Sequence, residues 1–132
     1  MPESFACSLV TPERSVIDTQ AKYVAMPAHD GQIGVMDNRA PLLVKLGVGR
    51  LRLELPEGGE KRFVIDGGFA QMKGNKLTLV SEKAIAAEDI TREGAQAKLD
   101  AARALPASTT EQFDQRNHDV AFAEALVKLA GE

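Results

Sequence analysis

The stretch His29-Asp30-Gly31-Gln32-Ile33-Gly34-Val35-Met36-Asp37-Asn38-Arg39-Ala40-Pro41-Leu42-Leu43 combines a tight turn, a short apolar strand and a proline. Asp30-Gly31 predicts the turn, because glycine accepts positive φ and aspartate tolerates it. The turn would place Met26 and Ile33 on neighbouring strands. Gly34 indicates a bulge or a close backbone approach, and Pro41 belongs at an edge or in a turn because it cannot donate a ladder hydrogen bond. We therefore expect a β-hairpin that leads into an exposed, stiff loop held on a sheet.

Short apolar runs separated by turn signals fill the chain from Phe5 to about Ile85. In the run 50–55, Arg-Leu-Arg-Leu-Glu-Leu, strict alternation predicts a strand with three leucines on one face and three charges on the other. The run from Ser15 to Pro27 predicts one bent strand or two. Strand-length runs about ten residues apart, joined by Gly or Pro turns, are typical of an antiparallel sandwich or barrel. We predict an antiparallel β-sandwich.

The composition changes at Ala84, after which nine alanines occur up to Ala107 and β-branched residues become rare. Alanine is the best helix former, so we predict one helix from about Asp89 or Thr91 to just before Pro106. The capping-box spacing of Ser-Thr-Thr-Glu at 108–111 predicts a second helix that runs to Gly131. The fold class is thus mainly β with α, with a sandwich at residues 1–86 and an antiparallel two-helix hairpin at residues 87–132.

The hairpin is expected to need support from the rest of the protein. Alanine-rich helix faces bury little area, and isolated helices of this length are marginal in water. Gly94 costs about 1 kcal/mol relative to alanine in a helix interior. It is either a tolerated surface glycine or a place where the helix can bend.

The overall composition limits the class of protein. The 44% apolar and 27% charged residues are those of a soluble or peripheral protein, and the net charge of −3 argues against nucleic acid as a partner. The sequence after Met1 lacks a basic or Arg-rich targeting segment, so we expect a cytoplasmic location. Cys7, in an apolar run, is expected to be a buried strand residue.

The residues that could carry chemistry do not form a recognisable catalytic, metal or cofactor site. His29 and His118 lack a second ligand at metal-binding spacing, so each is expected to be a surface histidine. Gly47-Val48-Gly49 lacks the third glycine of a dinucleotide fingerprint, and the carboxylates of Glu88-Asp89 are explained by helix capping. Arg50 with Arg52, and Lys61 with Arg62, indicate a basic hairpin face that is exposed to solvent. These patterns alone indicate a non-catalytic interaction protein.

The chain resembles the epsilon subunit of F-type ATP synthases over nearly its whole length. Four fragments carry the resemblance: Asp-Gly-Gln-Ile-Gly-Val at 30–35 with Ala-Pro-Leu-Leu at 40–43, Gly-Arg-Leu-Arg at 49–52, Phe-Val-Ile-Asp-Gly-Gly-Phe at 63–69, and Asn-Lys-Leu-Thr-Leu-Val at 75–80 with Ala-Ile at 84–85. The family pattern expects histidine where this chain has Arg39. The order of the fragments ahead of an alanine-rich hairpin makes coincidence improbable.

The resemblance implies a non-catalytic rotor subunit in the central stalk of a proton-translocating F-type ATP synthase. In the family the sandwich binds the gamma subunit and the membrane-embedded c-ring, so the protein would lie peripherally at the cytoplasmic face of a bacterial inner membrane, held there only through the complex. By position in the family, contact with the c-ring is carried over to Asp30, Gln32 and Arg39.

The resemblance also implies that the hairpin lies folded on the sandwich or extends toward the catalytic beta subunits, where basic residues block ATP hydrolysis. The basic residues that would make this contact here are Lys98, Arg103, Arg116 and Lys128. The short stretch after Leu129 predicts weak or absent inhibition. Some members bind ATP through an Ile-Asp-x-x-Arg-Ala stretch, in which this chain has Thr91 and Gly94 instead of the acid and the arginine, so we expect no tight ATP site.

Two other classes of protein compete with this reading. One is a free-standing β-sandwich module that binds a small ligand and carries a helical tail. The other is an enzyme of the cupin or jelly-roll type, for which the metal ligands are missing from the sequence.

Overall fold

The computed structural model describes residues 4–28 and 31–132. The strands in these ranges are β1 (Phe5–Val10), β2 (Ser15–Ala21), β3 (Tyr23–Ala28), β4 (Gly31–Met36), β5 (Leu42–Lys45), β6 (Val48–Glu54), β7 (Glu60–Asp66), β8 (Phe69–Lys73), β9 (Lys76–Val80) and β10 (Ala84–Ala86). The helices are α1 (Arg92–Arg103) and α2 (Thr110–Ala130), with a short 3-10 helix at Ala87–Asp89 before α1.

The strands form two five-stranded sheets. The first sheet has the order β2-β1-β9-β8-β5 and the second has the order β10-β7-β6-β3-β4. The pairs within both sheets are antiparallel except that of β1 with β9, which is parallel. The predicted fold class, a β-sandwich followed by two helices, is confirmed. The boundary between residues 86 and 87 stays a prediction.

The hairpin of β3 and β4 has the predicted register. Met26 lies opposite Ile33, and the run from Ser15 to Pro27 forms two strands. At Gly34 the close approach comes from a side chain rather than from backbone: a Cβ there would lie 2.3 Å from the Tyr23 hydroxyl oxygen. His29 and Asp30, the first residues of the predicted turn, lie outside the described residues.

The core between the sheets is apolar. It contains the buried residues Phe5, Cys7, Leu9, Ala21, Val24, Met26, Val35, Leu46, Leu51, Leu53, Phe63, Ile65, Ala70, Met72, Leu77 and Leu79. The alternation predicted for residues 50–55 holds for Leu51 and Leu53, whose side chains are inside, whereas Leu55 is half-buried and lies after the end of β6. Burial, together with the charge of Asp18, raises the pKa of the Cys7 thiol to about 12. Cys7 is therefore a core residue and stays a thiol at neutral pH.

The chain passes from the second sheet to the first through Gly67-Gly68. Both residues have positive φ, +64° and +102°. A Cβ on Gly68 would lie 1.7 Å from the carbonyl oxygen of Val80, a distance that no side chain can accommodate. The second glycine is therefore required both by its backbone conformation and by the neighbouring strand.

The helix starts are set by threonine caps. Thr91 caps α1, as one of the two predicted starts, and α1 ends at Arg103, before Pro106. In α2 the capping box is formed by Thr109 and Gln112, one residue later than the predicted spacing. The later register is favoured because the Gln112 side chain accepts hydrogen bonds from the backbone N–H groups of residues 108 and 109, at 3.0 and 3.3 Å.

Gly94 is the third residue of α1 rather than an interior one, which corrects the expectation of a weak point within the helix. Its N–H donates to the Thr91 hydroxyl at 3.0 Å, so this first turn is capped. A Cβ at residue 94 would lie 2.8 Å from that hydroxyl oxygen. The glycine leaves room for the cap.

The hairpin lies on the outer face of the second sheet. Helix α2 packs on β6 and β7, whereas α1 packs chiefly on α2. The shared cluster contains the buried residues Val64, Ala95, Phe122, Leu126 and Leu129. The prediction that the hairpin needs support is confirmed, and the structure shows its folded arrangement.

Candidate partner-binding surfaces

The outer face of the first sheet carries large apolar side chains that no other element covers. Leu43, Phe69 and Val80 are 71%, 55% and 47% exposed. Phe69 and Val80 lie opposite each other on β8 and β9, and Leu43 lies on the adjacent β5. The two sheets differ in this respect, because α2 packs on the outer face of the second sheet whereas the outer face of the first sheet is exposed. The exposed Gln71 lies opposite Leu43 and the exposed Lys45 lies opposite Phe69 on the same face, so the surface mixes large apolar side chains with polar ones, as partner-binding surfaces do.

The turn that follows β4 is clamped to the turn between β8 and β9. The Asn75 side chain accepts a hydrogen bond from the Asn38 backbone N–H at 2.9 Å and donates one to Asp37 Oδ1 at 2.8 Å. Its Nδ2 also lies 3.3 Å from the Ser4 carbonyl oxygen. Asn38 and Asn75 both have positive φ, 60° and 58°, as is common for asparagine. This clamp fixes the backbone just before Arg39, and sequence reasoning missed it.

The residues assigned by position to the c-ring contact are not brought together. Gln32 lies near the start of β4, in a groove that it shares with Arg50 and Lys128 beneath α2. Arg39 is exposed beyond the other end of β4. The strand from Gln32 to Met36 alone spans about 14 Å at 3.4 Å per residue. Asp30 lies outside the described residues.

His118 differs most clearly from what was expected of it. It was predicted to be a surface histidine, but its Nε2 lies 2.7 Å from Oδ1 of Asp66, a buried residue at the end of β7. Its Nδ1 lies 3.1 Å from Asp119 Oδ1. The hydrogen bond to Asp66 raises the pKa of His118, against the effect of burial, and the bond to Asp119 raises it further. The side chain is 39% exposed and joins the hairpin to the sandwich.

The basic face of β6 and β7 is also not simply solvated. Arg62 Nη1 lies 3.0 Å from Oε1 of Glu132, and the other carboxylate oxygen pairs with Arg50. On the same face, Arg52 pairs with Glu54 at 2.7 Å. The Glu132 carboxylate therefore bridges two neighbouring strands at the end of the sheet face opposite Asp66.

The four basic residues assigned to contact with catalytic subunits are spread over both helices. Lys98 and Arg103 are exposed on α1, and Lys128 is exposed on α2. Arg116 is half-buried, and its Nε is a buried nitrogen that has no hydrogen-bond partner among the residues that the structure describes. Lys98 lines a groove of about 330 Å³ together with Lys83 and His118. The hairpin thus presents dispersed positive charges rather than one compact patch.

In residues 4–28 and 31–132, no group of three or more His, Cys, Asp or Glu side chains could hold a metal ion. Over the same ranges, neither helix combines the length and the apolar character that a membrane-spanning segment needs.

The fold and its surfaces define a β-sandwich that carries a helical hairpin on one sheet and an exposed apolar face on the other. The family model described as "ATP synthase, Delta/Epsilon chain, beta-sandwich domain" matches residues 4–87. The chain belongs to this family.

The relatives match in sequence along almost their whole length. The ATP synthase epsilon chain of Rhodopirellula baltica is 41% identical over 127 residues, which cover 96% of this chain and 98% of that one. The ATP synthase epsilon chain of Nitratidesulfovibrio vulgaris is 32% identical over 129 residues, covering 98% and 96%.

Solved structures share the fold at lower sequence identity. A chain in the cryo-EM structure of the Euglena gracilis mitochondrial ATP synthase superimposes with a TM-score of 0.84 at 21% identity, covering 96% of this chain and 81% of that chain. A chain in the central stalk and c-ring structure of the Tetrahymena thermophila mitochondrial ATP synthase gives 0.71 at 11% identity, covering 95% of each. At such identities the agreement concerns the fold alone.

Proposed function

We propose that this chain is a non-catalytic central-stalk subunit of a proton-translocating F-type ATP synthase, where it couples the catalytic head to the c-ring. The observation that carries the proposal is the 41% identity to the R. baltica epsilon chain across both the sandwich and the hairpin. The protein would lie peripherally at the cytoplasmic face of a bacterial inner membrane, held there by the complex.

We assign the gamma subunit to the exposed outer face of the first sheet. Leu43, Phe69 and Val80 offer apolar area that a stalk partner would remove from water, at about 25 cal/mol per Å². The opposite sheet face is covered by α2. A partner that binds the first sheet can therefore remain in place whatever the hairpin does.

We assign the c-ring contact to the segment from Asp30 to Leu43, with Asp30, Gln32 and Arg39 as the contact residues, Gln32 and Arg39 lying towards opposite ends of β4. The position of Arg39 supports this assignment. The Asn75 side chain holds the backbone at Asn38, and the Arg39 side chain that follows is exposed and available to a partner. A guanidinium is always charged and presents a fork of donors, so it would prefer a carboxylate or carbonyl partner on the ring.

We assign contact with the catalytic beta subunits to the hairpin, through Lys98, Arg103, Arg116 and Lys128. Arg116 is half-buried and its Nε is buried in the docked hairpin, so its full exposure would require the hairpin to move. Inhibition of ATP hydrolysis would then compete with the docking contacts seen here. The subunit is expected to inhibit weakly, because docking has to be lost first.

Tight ATP binding is not part of the proposed function. Thr91 and Gly94, which replace the acid and the arginine of the family's ATP stretch, are paired with each other in the cap of α1. They are thus occupied in helix formation. Isothermal calorimetry of the full chain with ATP is expected to show no micromolar binding, and a micromolar isotherm would refute this.

The test is reconstitution with the catalytic complex from the same source, depleted of this subunit. Binding and the ATP hydrolysis rate are measured with the full chain, with Phe69→Asp and with Phe113→Asp. Phe113 is a matched control, since it is 51% exposed but lies on α2. We expect the full chain and Phe113→Asp to bind and Phe69→Asp to bind at least tenfold more weakly, because a buried charge at an apolar interface is costly.

Two outcomes would count against the proposal. If the full chain does not bind the depleted complex, the assignment as a stalk subunit is wrong, and a free-standing ligand-binding module becomes the working hypothesis. If Phe69→Asp binds as well as the full chain, the gamma subunit does not use the outer face of the first sheet. A full chain in which the four basic residues are changed to alanine tests whether any observed inhibition depends on them.

A further inference from the structure

The imidazole of His118 bridges α2 and the end of β7, and both of its ring nitrogens face carboxylates. Nε2 is 2.7 Å from Asp66 Oδ1 and Nδ1 is 3.1 Å from Asp119 Oδ1. A neutral imidazole has one N–H, whereas the imidazolium has two. Only the protonated ring can donate to both carboxylates at once. The geometry therefore selects the charged form of His118 when the hairpin is docked.

We propose that His118 and Asp66 form a pH-dependent clasp that holds the helical hairpin on the second sheet and weakens as the pH rises. The two partners are on different parts of the fold. Asp119 follows His118 in α2 and stays beside it when α2 moves, but Asp66 stays with the sandwich. The Asp66 contact therefore distinguishes the docked from the undocked hairpin.

The groups facing His118 come from four parts of the chain. Asp66 of β7 and Asp119 of α2 are hydrogen-bonded to its ring, and Lys83, between β9 and β10, and Lys98 of α1 line the same groove as His118. The Lys83 ammonium lies 5.6 Å from the centroid of the Phe122 ring. The two lysines line the same groove and oppose protonation of the ring, but the carboxylates are in direct hydrogen-bond contact with it. The direct contacts with the carboxylates outweigh the lysines, so the pKa of His118 is raised.

The sign of the pH effect follows from linkage. The pKa of His118 is raised in the docked state, chiefly by Asp66. The clasp is therefore fully formed below the ordinary histidine pKa of about 6.5, and its contribution is lost as the pH rises through the docked value. For each pKa unit by which docking raises the His118 value, the docking equilibrium constant at low pH, where the ring is protonated, exceeds that at high pH, where it is neutral, by up to tenfold.

The test uses NMR on the full chain. The pKa of the His118 ring is read from its carbon-bound protons in the wild type and in Asp66→Asn. Docking is read from the methyl signals of Val64, which α2 covers, as urea is added at pH 6 and at pH 8.5. We expect a higher pKa in the wild type than in Asp66→Asn, and a wild-type docking midpoint at higher urea at pH 6 than at pH 8.5.

Two substitutions serve as controls. In His118→Gln the side-chain amide can still donate to Asp66 but does not titrate, so the docking midpoint should be the same at both pH values. In His29→Gln, which changes the other histidine, the full pH effect should remain. Because His118 is partly exposed, its substitution is expected to leave the sandwich folded.

The inference would be overturned by an unchanged His118 pKa in Asp66→Asn, or by equal wild-type docking midpoints at the two pH values. A pH effect that persists in His118→Gln would also overturn it. The test concerns the isolated chain, so its failure would leave the proposed place in ATP synthase untouched.

Discussion

The interior of the sandwich and the interface beneath the hairpin are built differently. Among the residues that the structure describes, the apolar cluster between the two sheets contains sixteen buried residues, of which Cys7 behaves as an apolar residue. The hairpin interface contains five buried apolar residues among those the structure describes, with a histidine–aspartate pair near the middle of α2 and a bridging glutamate just after its C-terminal end. The first region is an apolar core between hydrogen-bonded sheets, whereas the second also has charged pairs at its border. We therefore expect pH and salt to affect docking of the hairpin and to leave the stability of the sandwich almost unchanged.

The largest effect is expected from a change in the sandwich interior. Leu79→Ala removes a fully buried side chain and leaves a cavity, which costs about 2–5 kcal/mol of unfolding free energy. Urea unfolding followed by circular dichroism would measure the loss. Leu43→Ala, at an exposed position of the first sheet, is the control and should cost at most about 0.5 kcal/mol. Equal losses for the two would mean that the interior is not the main source of stability.

A change of the same type in the hairpin should have a smaller and more local effect. Leu126→Ala is expected to cost about 2 kcal/mol, the lower end of the range for leucine, because α2 can settle onto the sheet. Hydrogen exchange should become faster in α1 and α2 but not in β1 or β9. If exchange became equally faster throughout the chain, the hairpin and the sandwich would unfold as one unit and the comparison would fail.

The smallest effect is expected at the ion pairs of Glu132. Glu132→Gln removes a charge that bridges two partly exposed arginines, so the docking free energy should fall by at most about 1 kcal/mol. The difference should shrink further in 1 M salt, where the Debye length is about 3 Å. Urea titrations followed by the Val64 methyl signals, at low and at high salt, would measure this difference in docking free energy. Glu57→Gln, at an exposed position of the turn between β6 and β7, is the control, and an equal loss there would argue against the bridge.

Features that depend on local sequence were predicted well. The alternation in β6, the pairing of Met26 with Ile33 and the start of α1 at Thr91 all follow from residues near each other in the chain. The error of one residue in the capping box of α2 has the same local origin. Ser108 and Thr109 offer competing caps, and only the hydrogen bonds of Gln112 distinguish them.

Features that join distant parts of the chain could not be predicted. His118 and Asp66 are 52 residues apart, and Arg62 and Glu132 are 70 apart. No periodicity in the sequence indicates that the middle of α2 lies beside Asp66 or that Glu132, just after the helix, lies beside Arg62. The clamp by Asn75 was missed for the same reason, since its partners belong to a turn 37 residues earlier.

The parallel pairing of β1 with β9 has a consequence for biosynthesis. Strand β1 ends at Val10, but its partner begins at Lys76, so the middle of the first sheet cannot close until that later segment has left the ribosome. At about 5–20 residues per second, the interval lasts roughly 3–13 seconds. Throughout this time β1 can pair only with β2, and its other edge remains open to foreign strands. The nascent chain, rather than the finished protein, is therefore the form most prone to aggregate.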